Sequence, residues 1–163
     1  MIQSLLSSET RGLLNKAVGL ELYASNLYKH FAAQLQRAGY FGAQKFFEKE
    51  SAEELEHYYL IRNYMNDMGD VADMPMIEAV TDMVGGIGTA LNIAYETEKN
   101  LLYTYRDIYE EVEDKMKDCI TAQFLLQFLE IQRKAVGMYG DLISRFEKNP
   151  SDVFEFDEHL SDF

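Results

Sequence analysis

Four long stretches of this chain repeat apolar residues three and four positions apart, and almost nothing interrupts them. Only two prolines occur, Pro75 and Pro150, and both lie outside these stretches. Proline in a helix interior removes a hydrogen bond and clashes with the preceding turn, so its absence leaves room for helices far longer than the usual ~11–12 residues. The spacing predicts helices at about 7–37, 40–68, 83–114 and 118–148, with a short amphipathic piece at about 152–160. Ser7 and Ser8 are suited to cap the first helix, with Glu9 in its first turn. Gly39 and Gly42 bracket the first turn and Gly69 closes the second helix. Asn149-Pro150-Ser151-Asp152 is a stop and restart.

Connection lengths then constrain the topology. Short turns near 38–39 and 115–117 make antiparallel neighbours of the first pair and of the last pair. The middle connection, over 70–82, is long enough to run back along a helix of ~45 Å. The third helix therefore starts parallel to the second. The expected fold is all-α: one domain over residues 1–163, a four-helix bundle with one long crossover connection and a short fifth C-terminal helix.

Each apolar stripe is broken near its midpoint by a polar residue. The first reads Leu14, Ala17, Glu21, Ala24, Tyr28, Phe31, Leu35. The second reads Ala43, Phe47, Glu50, Glu54, His57, Ile61, Tyr64, Met68. The third reads Leu91, Ala94, Glu98, Leu101, Tyr105, Ile108, Val112, and the fourth Leu125, Leu129, Gln132, Val136, Tyr139, Ile143, Phe146. Midpoints of aligned helices meet at one level whichever way each helix runs. Glu21, Glu54, His57, Glu98 and Gln132 therefore fall in one layer of the interior. Ionised carboxylates cost several kcal/mol each to desolvate there, and bound cations would neutralise them. Carboxylate and imidazole ligands favour iron, manganese or zinc. Glu54 and His57, three apart, point to a common spot that Glu21 completes, and Glu98 with a shared Glu54 makes a neighbouring site near Gln132.

The remaining polar residues are plainer. Tyr28 lies one stripe step from the layer, as a redox or hydrogen-bonding partner or as core. Glu53, Glu56 and Glu50 neighbour it, as accessory ligands or entry carboxylates against the default of surface charge. His30 and His159 read as surface residues, and the single Cys119 excludes an intrachain disulfide and a cysteine-rich zinc cage.

Net charge is −13, from 15 Lys+Arg against 28 Asp+Glu, with no basic tail. That disfavours nucleic acid, which needs clustered cations, and suits the handling of metal cations. No apolar run reaches the ~18–20 residues needed to span a bilayer, and no signal peptide is evident, so the expectation is a cytoplasmic protein without a membrane partner.

The motifs resemble those of ferritins. Gly19-Leu20-Glu21-Leu22-Tyr23-Ala24-Ser25-Asn26-Leu27-Tyr28 is similar to the first-helix signature, and Glu53-Glu54-Leu55-Glu56-His57 to the second-helix Glu-Glu-x-x-His. Thr97-Glu98-Lys99-Asn100 matches the third-helix motif, and Gln132 with Lys134-Ala135 the fourth. The resemblance runs essentially end to end. It implies the ferritin-like bundle and a ferroxidase that binds two Fe(II) per subunit, oxidises them with O2 (or H2O2), and stores ferric mineral in a hollow homo-oligomeric shell of 24 subunits. It implies Glu21, Glu54 and His57 as ligands of the first iron and Glu54 and Glu98 of the second. Gln132 would orient the site, Glu53 would be an accessory ligand, and Tyr28 would stand beside the centre as an electron source.

This sequence also departs from family patterns. Glu130 is followed three positions later by Arg133 rather than His, and no haem signal is present, so no haem is expected. Ile131 and Ala135 occupy third-iron positions, and Ala122 and Leu125 correspond to the acidic lining of the three-fold pore in animal ferritins. That leaves Asp118 or Glu113 to guide iron. Two rival readings are a soluble di-iron oxidase or peroxidase without storage, and a structural helical cage protein whose polar layer is only a hydrogen-bonded network.

Overall fold

The computed structural model describes residues 2–163. Its elements are α1 (Ser8–Arg37), α2 (Phe41–Asp67), α3 (Ile87–Glu110), α4 (Cys119–Lys148) and α5 (Val153–Leu160), with a five-residue π-helical turn, Glu111–Lys115, extending α3. No strand occurs among the described residues. Helices α1 and α2 form one tightly packed pair and α3 and α4 the other.

Local chemistry sets the ends. Ser7, extended at φ −67° and ψ 158°, caps α1 through the Thr10 amide. Gly39 at φ 89° and Gly69 at φ 77° take the left-handed conformation that ends α1 and α2, where a Cβ would be strained. The third helix begins at Ile87 rather than near 83, because Gly85 and Gly86 precede it and Gly86 is fully extended. Its α-helical part stops at Glu110, four residues before the expected end. The π turn keeps Val112 buried before Lys117, at φ 54°, reverses the chain.

The crossover is anchored to α1 at both ends. Arg11 pairs with Asp70 at 3.1 Å and Asp73 at 2.8 Å, and Ser4 donates to Asp70 at 2.7 Å. At the far end Gln34 donates to the Asp82 carbonyl at 2.9 Å and accepts from the Val84 amide at 2.7 Å. The connection thus runs along α1 from start to finish and launches α3 parallel to α2.

Side-chain burial follows the stripes closely on α1 and α3, where all fourteen stripe residues are buried. On α2, Met65 and Tyr58 are buried, while Tyr64 and Met68 are only partly covered. On α4 the inner face is Leu125, Phe128, Gln132, Tyr139 and Leu142; Leu129, Val136, Ile143 and Phe146 lie on its flank. Both shifts have one cause: helices pack at an angle, so the residues facing the axis drift along a long stripe. Where α1 and α2 cross, Ser25 and Ser51 each donate to the other's carbonyl, at 2.9 and 2.8 Å. Side chains this small let the backbones approach.

Helix α5 docks on the start of α2. Its Asp157 accepts from the Ala43 amide at 2.7 Å and the Gly42 amide at 3.2 Å. It thus supplies the N-terminal cap that Tyr40, the residue preceding α2, does not provide.

Candidate metal centre

The bundle brings the four interrupting positions to one level. Glu21 of α1, Glu98 of α3 and Gln132 of α4 are at most 1% exposed, and Glu54 of α2 is 3% exposed. His57 is half-buried at the edge of the layer. Ligand atoms of Glu21, Glu54 and His57 all lie within 4.8 Å of one another. His57 Nδ1 is 3.3 Å from an oxygen of Glu21 and 3.3 Å from one of Glu54. Glu98 is outside that triad but joined to it, since Glu54 is within hydrogen-bonding reach of both Glu21 and Glu98. Gln132 Nε2 donates to Glu98 Oε2 at 2.7 Å, and Tyr28 donates to Glu98 Oε1 at 2.6 Å.

One member of the layer was not singled out by sequence. Tyr105, read only as part of the α3 stripe, donates to Glu21 Oε1 at 2.6 Å and stacks on Phe128 with ring centroids 4.8 Å apart. A second polar pair lies deeper along the bundle, where Tyr139 donates to Glu50 Oε1 at 2.8 Å. Position alone hints at both. Tyr105 and Tyr139 each follow a layer residue by seven, two turns along the same face, and Glu50 precedes Glu54 by four. Glu53 is exposed and outside the triad. Ala122 and Leu125, matched by sequence to pore-lining positions, instead face the bundle interior at 4% and 0% exposure. They cannot line a channel, and the open residues of that turn are Ile120, Gln123 and Leu126. Asp118 is engaged in capping α4 through Thr121, whereas Glu113 is exposed.

Electrostatics in the layer is dominated by burial. Burial, reinforced by Glu21 and Glu98, holds the Glu54 carboxyl well above the ordinary range, and burial also raises Glu98 against the opposing donations of Tyr28 and Gln132. Burial pushes Glu21 up too, but hydrogen bonds to Glu54 and His57, with help from Tyr105, outweigh it and leave Glu21 below its ordinary value. Burial disfavours a charged His57, yet Glu21 more than compensates and the imidazole is raised. Glu50 is pushed up to about 8, chiefly by burial. In the metal-free chain the layer thus favours ionisation of Glu21 over that of Glu54.

These shifts carry a stability consequence. A carboxyl whose folded pKa lies above its unfolded value binds more protons in the native state between the two, so stability falls as pH rises through that window. For Glu50 the window runs from 4.5 to about 8. The metal-free protein is expected to lose about 1.4 kcal/mol per pH unit for each proton so retained. Thermal denaturation across this range checks it, and Glu50→Gln should flatten the slope; a wild-type profile that rises toward pH 8 would contradict the assignment.

The residues present suit a cation. Three carboxylates and an imidazole converge, and Gln132 Oε1 is buried without a hydrogen-bond partner among the described residues. A buried unpaired amide oxygen costs about 1–3 kcal/mol unless something accepts it.

A family model for the ferritin-like domain matches residues 11–149. The chain belongs to the ferritin family. Among ferritins, it is 27% identical over 141 residues to a probable bacterial non-heme ferritin-like protein of Haemophilus influenzae, covering 86% of this chain and 85% of that one. A bacterial non-heme ferritin of Bacteroides fragilis is 24% identical over 160 residues, with 96% and 98% covered. The fold superposes on the open pore ferritin of the archaeon Archaeoglobus fulgidus with a TM-score of 0.92 at 21% identity, over 96% of this chain and 98% of that one. No described helix of this ferritin is long and apolar enough to cross a membrane.

Proposed function

We propose that this chain is an iron-storage ferritin, a single cytoplasmic domain without haem that oxidises Fe(II) with O2 at a di-iron centre inside each subunit and stores ferric mineral in a hollow homo-oligomeric shell of 24 copies. The observation that carries this reading is the incomplete bonding of the buried layer. A self-sufficient polar network would satisfy its amide, yet Gln132 Oε1 has no partner among the described residues and Glu54 sits between two carboxylates that favour its ionised form only if a cation joins them.

In this reading Glu21, Glu54 and His57 hold one Fe(II), and Glu54 and Glu98 the second. Tyr105 and Gln132 fix the outer carboxylates by the hydrogen bonds already described. Tyr28 holds Glu98 and stands ready as an electron source. Phe128, stacked on Tyr105 and 6.3 Å from the His57 ring, keeps water from that side. Each Fe(II) gives up one electron to the oxidant, and the protein contributes position and charge.

Cation binding favours the ionised Glu54 that burial disfavours. Anaerobic Fe(II) binding is thus expected to release protons and to tighten about tenfold per pH unit for each proton displaced. Calorimetry in buffers of different ionisation enthalpy measures this; binding independent of pH and buffer would contradict the charge assignment.

The deciding experiment loads metal-free protein anaerobically with Fe(II) and mixes it rapidly with O2. Fast oxidation saturating near two irons per subunit, followed by uptake into a large soluble particle, is the expected result. Turnover in a small oligomer without mineral would point to a di-iron oxidase, and no fast phase to a structural layer.

A further inference from the structure

Two phenols reach the polar layer, and they do so reciprocally. Tyr28 lies seven residues after Glu21 on α1 and donates to Glu98 of α3 at 2.6 Å. Tyr105 lies seven residues after Glu98 on α3 and donates to Glu21 of α1 at 2.6 Å. Helices α1 and α3 run antiparallel, so equal offsets put the two tyrosines on opposite sides of the layer, about 10 Å from it along the bundle. Helical side chains lean back toward the N-terminus, and each phenol thereby returns to the layer from its own side. A two-fold rotation through the layer that exchanges α1 with α3 turns one bond into the other.

Packing alone does not account for the Tyr105 hydroxyl. Its ring is 1% exposed and stacks on Phe128 with centroids 4.8 Å apart and planes inclined at 16°. Phenylalanine would make that stack equally well. A buried hydroxyl costs free energy unless it is bonded, and its partner here is a carboxylate of the layer.

The two-fold relation fails at the second oxygen of each carboxylate. Glu98 is bonded at both, since Oε1 accepts from Tyr28 and Oε2 accepts from Gln132 Nε2 at 2.7 Å. Glu21 is tied at Oε1 by Tyr105, and Oε2 is the oxygen turned toward His57 Nδ1, 3.3 Å away.

We infer that Tyr105 is a positioning residue for the first iron: by holding Glu21 Oε1 it presents Oε2 alone to the metal, so that Glu21 binds through one oxygen. This rests on the di-iron reading above. Glu21 is 0% exposed, so without the phenol Oε1 would be left in the interior without its donor. The carboxylate would then turn away from the geometry of the triad. Tyr28 and Gln132 hold Glu98 in the same way for the second position. Each iron position thus has its own phenol.

The test is anaerobic titration of the full-length, metal-free protein with Co(II), with calorimetry in parallel. Co(II) is a divalent stand-in for Fe(II) whose visible absorption reports the number and geometry of its ligands. Wild type is expected to bind two Co(II) per subunit in distinguishable steps. Tyr105→Phe keeps the ring stack and should weaken the first step by about 10–100-fold, the usual range for residues that orient metal ligands, while altering its absorption band. Tyr28→Phe should weaken the second step and leave the first step and its band unchanged. Tyr105→4-aminophenylalanine, which keeps an N–H donor in the same place, should restore the first step. The exposed Tyr103→Phe serves as the unchanged control. Should Tyr105→Phe fail to fold by far-ultraviolet dichroism, Tyr105→Met removes the donor with a flexible apolar side chain instead. A first step and band equal to wild type in the folded donor-free variant would overturn the role of Tyr105 alone. Equal weakening of both steps would mark Tyr105 as core packing and overturn it too. Absence of stoichiometric Co(II) and Fe(II) binding in wild type would overturn the di-iron reading and this inference with it.

Discussion

Glu54→Ala is expected to abolish the fast phase of Fe(II) oxidation, with a loss of at least about 100-fold, since even residues that only orient metal ligands commonly cost 10–100-fold. Glu54 is the one carboxylate within hydrogen-bonding reach of both Glu21 and Glu98, so its removal disrupts both proposed iron positions. Glu98→Ala, by contrast, leaves the triad of Glu21, Glu54 and His57 intact and should retain one Fe(II) per subunit. Glu53→Ala, at an exposed position, should leave Fe(II) binding by the triad intact. Stopped-flow absorbance after O2 mixing, with anaerobic binding counts, separates these cases. Fast oxidation persisting in Glu54→Ala would place the chemistry elsewhere. Far-ultraviolet dichroism guards against simple unfolding. Removing a buried, protonated carboxyl relieves a desolvation cost that offsets part of the cavity penalty, so the helices should survive.

Gly42→Ala should be the most damaging single-methyl addition in the chain. A Cβ at Gly42 would lie 1.8 Å from the Asp157 carbonyl oxygen and 2.7 Å from its carbon, so α5 cannot remain docked. Lost with it are two amide hydrogen bonds to the Asp157 carboxylate and the burial of Leu160. At about 1 kcal/mol or more per hydrogen bond and roughly 2 for the leucine, the loss is near 4 kcal/mol. Alanine's better helix propensity returns about 1 kcal/mol, so the net expectation is destabilisation by about 3 kcal/mol. Denaturant unfolding measures it, and proteolytic nicking over 149–152 should accelerate. Gly137→Ala is the control: its Cβ would meet nothing within 4 Å, and the substitution should be neutral or stabilising. Destabilisation of Gly42→Ala no greater than that of Gly137→Ala would refute tight α5 docking.

The helices, their antiparallel pairing and the residues of the layer all follow from spacing along one chain. Four stripes broken at their midpoints by Glu21, Glu54 with His57, Glu98 and Gln132 required these side chains to meet, whatever the crossing angles. Spacing is a poorer guide to which flank of a long helix faces the core. Spacing predicts an α4 stripe through Leu129, Val136 and Ile143, whereas Phe128 and Leu142 face the interior, because a tilt of the helix rotates the buried face by one residue over its length. Family resemblance, rather than spacing, matches Ala122 and Leu125 to a channel lining, yet both lie in the core.

Tertiary structure alone decided which partner each polar atom takes. Nothing in the sequence pairs Tyr105 with Glu21 rather than Glu98, or Tyr139 with Glu50, or leaves Gln132 Oε1 unpaired. Nor does it put Asp157 on the amides of Gly42 and Ala43. Those choices rest on differences of an ångström in where helices cross. Hydrogen bonding and ionisation vary steeply over that distance, whereas the hydrophobic effect that aligned the helices hardly does.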